Sequence, residues 1–188
     1  TLSSPLSILY NSASNTLFVA DSFHHRVLIY DVATINNGEA AVNVLGQPDF
    51  TTGGLSIAST TLLVPVGLAY NSASNTLYVV DDDNNRILAY DVSTITNGEA
   101  AIAVLGQVNF TSSSANQGGS VASTTISNPK SIVYNSLSST LYLADAGNNR
   151  VLVYDVASIT NGEGAIAVLG QSNFTSSSVN QGGSVAST

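Results

Sequence analysis

The chain repeats itself three times. Pro5, Pro65 and Pro129 open three copies of one unit, 60 and 64 residues apart, and such a period commits a chain to a modular array whose units pack on their neighbours. The copies open PLSILYNSASNTLFVADSFHHRVLIYDV, PVGLAYNSASNTLYVVDDDNNRILAYDV and PKSIVYNSLSSTLYLADAGNNRVLVYDV, and close on NGEAAVNVLGQPDFTT, NGEAAIAVLGQVNFTS and NGEGAIAVLGQSNFTS. Residues 65–124 and 129–188 are identical at 43 of 60 positions. The first unit is four residues shorter, where TTGGLSIAST stands against TSSSANQGGSVAST, and a length change confined to one polar stretch marks a surface loop. The units divide the chain into residues 1–64, 65–128 and 129–188.

Each unit reads as four short strands, in the middle copy over residues 67–70, 76–81, 86–92 and 101–105. NSASN joins the first pair and DDNN the second, both rich in turn formers, and Asn97-Gly98 supplies a positive backbone dihedral ahead of the fourth strand. LYVV, ILAY and AIAV are apolar at both alternating positions, so the sheets must be covered on both faces. Small four-stranded sheets stacked face to face describe β-propeller blades. The expected fold is all-β, a β-propeller with three four-stranded antiparallel blades per chain.

The pattern Pro-x-x-(Leu/Ile)-x-Tyr, then LYVVD, NNR and ILAYD, resembles the NHL-repeat family of β-propellers, and the VLGQ-x-(Asp/Asn)-Phe ending is similar to that of its long repeats. The resemblance covers all three units and implies a six-bladed ring, of which the three blades would be half. Where the family often has Asn-His-Arg, the chain has His24-His25-Arg26, Asn84-Asn85-Arg86 and Asn148-Asn149-Arg150, keeping the Arg but mostly not the His.

Composition narrows the partners. Four Lys and Arg stand against twelve Asp and Glu, for a net charge of −8, which disfavours nucleic acid and anionic membrane surfaces. Without Cys there are no disulfides, thiolate metal sites or cysteine nucleophiles, and two His do not make a multi-histidine centre. No apolar run approaches the roughly 18 residues of a membrane span, and no signal peptide is read. Thr1 is not a translation start, so a processed or excerpted chain is expected.

Most charged groups recur once per unit. Asp21/Asp81/Asp145 end a second strand where Arg26/Arg86/Arg150 begin a third, so each pair is expected to brace its turn, with the guanidinium fork gripping the carboxylate bidentately or reaching an adjacent blade. Asp31, Asp91 and Asp155 are expected to cap the turns that follow them. Only Asp49, Asp82, Asp83 and Lys130 escape the repeat. The Asp81-Asp82-Asp83 run is a weak candidate for a hard cation, without the spaced acidic loop such an ion prefers; a solvated acidic turn is the competing reading. His24-His25 has no visible third ligand. Neither a catalytic constellation nor a phosphate-binding loop is present, and no cofactor is expected. The amidation lyases related to the NHL family use metal and His-rich sites, and this chain departs from that pattern. Asn109-Phe110-Thr111 and Asn173-Phe174-Thr175 are sequons, so Asn109 and Asn173 are possible glycosylation sites.

Three blades do not close a ring that typically needs 4–8, and the end faces of a half-ring would expose apolar surface. The terminal VAST followed by the initial TLSSP closely matches the internal junction VASTTISNP of residues 121–129. The expectation is therefore a non-enzymatic extracellular or cell-surface scaffold that self-associates head-to-tail, as two chains per ring or a larger array, with a glycan or peptide as possible ligand. The alternative is a ligand-binding or catalytic propeller whose site forms at the central channel once the ring is complete.

Overall fold

Three antiparallel meanders make up the computed structural model, which describes residues 1–182; residues 185–188, half of the junction read from the chain ends, lie outside the described residues. The first sheet comprises β1 (Pro5–Asn11), β2 (Thr16–Asp21), β3 (Arg26–Asp31) and β4 (Asn43–Leu45). The second comprises β5 (Pro65–Asn71), β6 (Thr76–Asp81), β7 (Arg86–Asp91) and β8 (Ala103–Leu105). The third comprises β9 (Pro129–Asn135), β10 (Thr140–Asp145), β11 (Arg150–Asp155) and β12 (Ala167–Leu169). Among the described residues helix is confined to short 3-10 turns, and no helix is long and apolar enough to cross a membrane. The fold is all-β and of the propeller type, with three four-stranded blades.

Strand ends follow local hydrogen bonding. β5 starts two residues before the expected position because Pro65 still opposes Asp81, across a bulge at Val66. β7 ends at Asp91 because the Val92 N–H turns to the Asn75 carbonyl. β8 starts only at Ala103, since the Ala101 N–H goes to the Ser59 carbonyl in the segment entering the blade. Each second turn is a one-turn 3-10 segment closed by a left-handed residue, His25, Asn85 or Asn149 (φ 55, 50 and 52°). Asn tolerates that conformation better than most side chains. Val64, at φ 56°, is the strained member of another left-handed set whose counterparts are Ser4 and Asn128.

The core consists of two layers between blades rather than a layer within each. The forward face of blade 1 (Phe18, Ala20, Val27, Ile29, Leu45) packs on the rear face of blade 2 (Leu68, Leu77, Val79, Leu88, Tyr90). The forward face of blade 2 (Tyr78, Val80, Ile87, Leu105) packs on the rear face of blade 3 (Ile132, Leu141, Leu143, Leu152, Tyr154). Among the described residues, only blade 2 is therefore covered on both faces.

Candidate functional site

The recurrent Asp and Arg meet inside each blade. Asp81 and Arg86 oppose one another on β6 and β7, and Arg86 Nε donates to Asp81 Oδ2 at 2.7 Å. The same bond joins Arg26 to Asp21 at 2.8 Å and Arg150 to Asp145 at 2.7 Å. The grip is not bidentate, and the Arg does not reach a neighbouring blade's Asp. Its other nitrogens are used elsewhere: Arg86 Nη1 donates to the Phe110 carbonyl, and Nη2 to those of Ala58 and Thr61. One guanidinium thus ties the segment entering a blade to the segment leaving it. The second carboxylate oxygen accepts a backbone N–H of the entering segment, from Ser3, Leu63 or Ser127. Burial pushes the Asp81 carboxyl above its ordinary value against the pull of Arg86 and these donors. At Asp21 burial also pushes upward, but the Ser3 N–H, Arg26 and His24 together hold the carboxyl below it.

A residue that sequence reasoning did not single out completes this frame. Gln47, Gln107 and Gln171, from the VLGQ endings, donate through Nε2 to the carbonyls of His25, Asn85 and Asn149. They also donate to Gly54, Ser114 and Ser178. The amide locks the second turn to the loop after the fourth strand; the once-per-unit recurrence was its signal. The preceding glycine has its own task. Gly46 (φ +83°) leaves a socket for Leu62, and an added Cβ would fall 2.5 Å from the Leu62 Cδ1. Ile126 fills the same socket at Gly106.

The three aspartates of the acidic run share one turn but face different partners. Asp81 is occupied by the brace, Asp82 Oδ2 accepts from Lys130 of the next blade, and Asp83 is exposed. Two of the four charges that escape the repeat thus form one inter-blade ion pair. His24 Nδ1 lies 2.9 Å from Asp21 Oδ2, while His25 Nδ1 accepts the Val64 N–H at 3.2 Å. Among the described residues, no group of three or more His, Asp or Glu is placed to hold a metal. Asp31, Asp91 and Asp155 each accept an N–H two residues on. Asn109 and Asn173 are exposed, and their Oδ1 atoms accept from Thr111 and Ser112, and from Thr175 and Ser176. Asp49 makes the equivalent turn, and the Thr51 and Thr52 donors hold its carboxyl down at about 2.

Aromatic and polar contacts also cross between blades. Phe18 lies 6.4 Å from Tyr70 and Tyr78 lies 6.3 Å from Tyr134, ring centre to ring centre. Asn97-Gly98 is more than a turn: Val44 N–H donates to Asn97 Oδ1 and Gly98 N–H to the Val44 carbonyl, both at 3.1 Å. Asn161-Gly162 repeats the contact on Val104.

No family model matches the chain. Among curated proteins, NHL repeat-containing protein 2 of Bos taurus is 31% identical over 101 residues, which are 50% of this chain and 13% of that protein. The human protein of the same name is 31% identical over 97 residues, 50% of this chain and 12% of the relative. The chain carries NHL-type propeller blades. The match spans only about an eighth of the length of those relatives. Solved structures share the fold of these NHL-type blades. Kuenenia stuttgartiensis hydrazine synthase has a TM-score of 0.60 at 15% identity, over 93% of this chain and 38% of that one. A nidogen/laminin complex has a TM-score of 0.54 at 15% identity, over 89% and 47%.

Proposed function

We propose that these NHL-type blades form a non-enzymatic extracellular scaffold that self-associates head-to-tail, the forward face of blade 3 on the rear face of blade 1 of a second copy. Exposure at the two end faces carries this reading. Ile8 is 70% exposed whereas its counterparts Leu68 and Ile132 are 7% and 5% exposed; Leu169 is 53% exposed against 0% and 1% for Leu45 and Leu105. Leu2, the counterpart of the socket-filling Leu62 and Ile126, is 45% exposed. Each end lacks what the other end presents, and two internal junctions display the mated form. With three blades per copy, two copies make a six-bladed ring with the same junction twice, whereas a junction that does not close gives a filament. The spending of recurrent polar groups on structural bonds supports a non-catalytic role, and the hydroxyl-rich, thiol-free composition supports an extracellular one.

The test is the mass of the folded chain by native mass spectrometry and light scattering, for wild type and Leu169→Asp. A wild-type dimer or larger array that Leu169→Asp returns to monomer is the expected result; a wild-type monomer at all concentrations would sink the proposal.

One observation favours a second reading, a ligand site on the ring axis. A shallow open groove of about 360 Å³ runs across the inner strands β1, β5 and β9, flanked by Tyr10, Tyr70 and Tyr134. That reading expects a ligand to protect these tyrosines from modification in the assembled state alone.

A further inference from the structure

We propose that the closing junction is latched by Asn37 and Gly38 of one copy, which cap the free outer edge of β12 at Val168 of the other. This rests on the head-to-tail reading and names the contact that fixes its register. An outer strand presents unpaired backbone groups, which native sheets normally cover. At both internal junctions the cover is an Asn-Gly pair from the following blade. It accepts the Val44 or Val104 N–H at 3.1 Å and donates to the same residue's carbonyl at 3.1 and 2.9 Å. Val168, the third member of that series, has no such cover among the described residues.

The matching turn in blade 1 is preformed. Glu39 N–H bonds the Asn36 carbonyl, Asn36 N–H bonds Glu39 Oε2, and Gly38 has φ +78° beside +70° and +71° at Gly98 and Gly162. Yet among the described residues no neighbouring blade packs on Gly38. A Cβ added at Gly98 would lie 2.9 Å from Pro48 Cα and one at Gly162 3.3 Å from Val108 Cα, while one at Gly38 meets no atom within 4 Å. The Asn37 side chain makes no hydrogen bond among the described residues, although Asn97 and Asn161 both accept one. A turn with the geometry of a latch and an edge with the geometry of its catch thus stand at opposite ends of one chain.

The closing junction leaves no charge unpaired at the position of the inter-blade ion pair. Lys130 pairs with Asp82 across the junction of blades 2 and 3; at the closing junction the matching positions are Leu6 and Ala146, both uncharged. The junction of blades 1 and 2 is likewise uncharged there, with Val66 and Ser22 at the same positions.

The experiment compares wild type, Asn37→Ala and Asn97→Ala by sedimentation over a concentration series, with amide exchange at Val168. Asn37→Ala is expected to melt like wild type when dilute but to dissociate more readily. The loss is roughly tenfold per latch, and on the order of 100-fold for a ring with two. Val168 exchange is expected to slow on assembly in wild type and less in the variant. Asn97→Ala is expected to lower the melting temperature of the protomer instead. If wild type assembles and Asn37→Ala assembles equally tightly, the latch is wrong and the scaffold reading survives. If wild type stays monomeric, both fall together.

Discussion

Arg86 and Asp81 are direct partners across β7 and β6, joined at 2.7 Å with neither side chain retaining exposed surface. Removing one member of such a buried pair strands the other, at a cost of about 3–5 kcal/mol. Arg86 also holds three backbone carbonyls, so its loss unties the entry and exit of blade 2 together. Arg86→Ala is expected to lower the melting temperature by roughly 10 °C or more, and Arg86→Lys to recover only part of it, since an ammonium does not span the same four acceptors. Thermal unfolding followed by circular dichroism checks both.

Val64 is β-branched at φ 56°, where blade 3 has Asn128. A left-handed backbone costs an ordinary L-residue about 1–2 kcal/mol, which Asn largely avoids. Val64→Asn is expected to stabilise the protein by about 1 kcal/mol in urea titration, with the His25 contact kept because it uses the backbone N–H.

Among the described residues the buried hydroxyls of Tyr90 and Tyr154 have no partner, and burial drives both phenols far above their ordinary value. Deleting an unpaired buried hydroxyl while keeping the ring removes a desolvation penalty. Tyr90→Phe and Tyr154→Phe are therefore expected to leave stability unchanged or to raise it by about 1 kcal/mol. A clear loss in chemical denaturation would show that the hydroxyls are bonded after all.

Asp49 and Asp21 set an acid limit for blade 1. Both carboxyls sit below their ordinary value of 3.8 in the folded chain, Asp49 at about 2. A depressed folded value means that the stabilisation is complete above the unfolded value and is lost as pH falls through the folded one. Carboxyl chemical shifts are expected to show Asp49 titrating near 2, with the Thr51 and Thr52 amides moving in step. Asp49→Asn, which installs the residue found at Asn109 and Asn173, is expected to keep the turn and abolish that titration.

The strands, their order within each blade and the pairing of Asp with Arg were legible in the sequence, because a threefold repeat displays each local rule three times. Asp49 and its Asn counterparts, Asp31 and its Ala33 contact, and the apolar strands all obey interactions within a few residues or across one hairpin. What the Gln amides bind was not legible, since Gln107 meets Asn85 and Ser114 only after the loop folds back on the turn. Nor was the fate of Asp82: acidic neighbours suggest a cation site until Lys130, 48 residues away, is brought beside the carboxylate. Asn97-Gly98 was readable as a turn but not as a clasp on Val44. The repeat thus determined what each blade is, since strand pairing and turn chemistry are local. Only the stacking of blades decided which groups meet between them, because those contacts depend on the angle and offset at which one sheet covers the next.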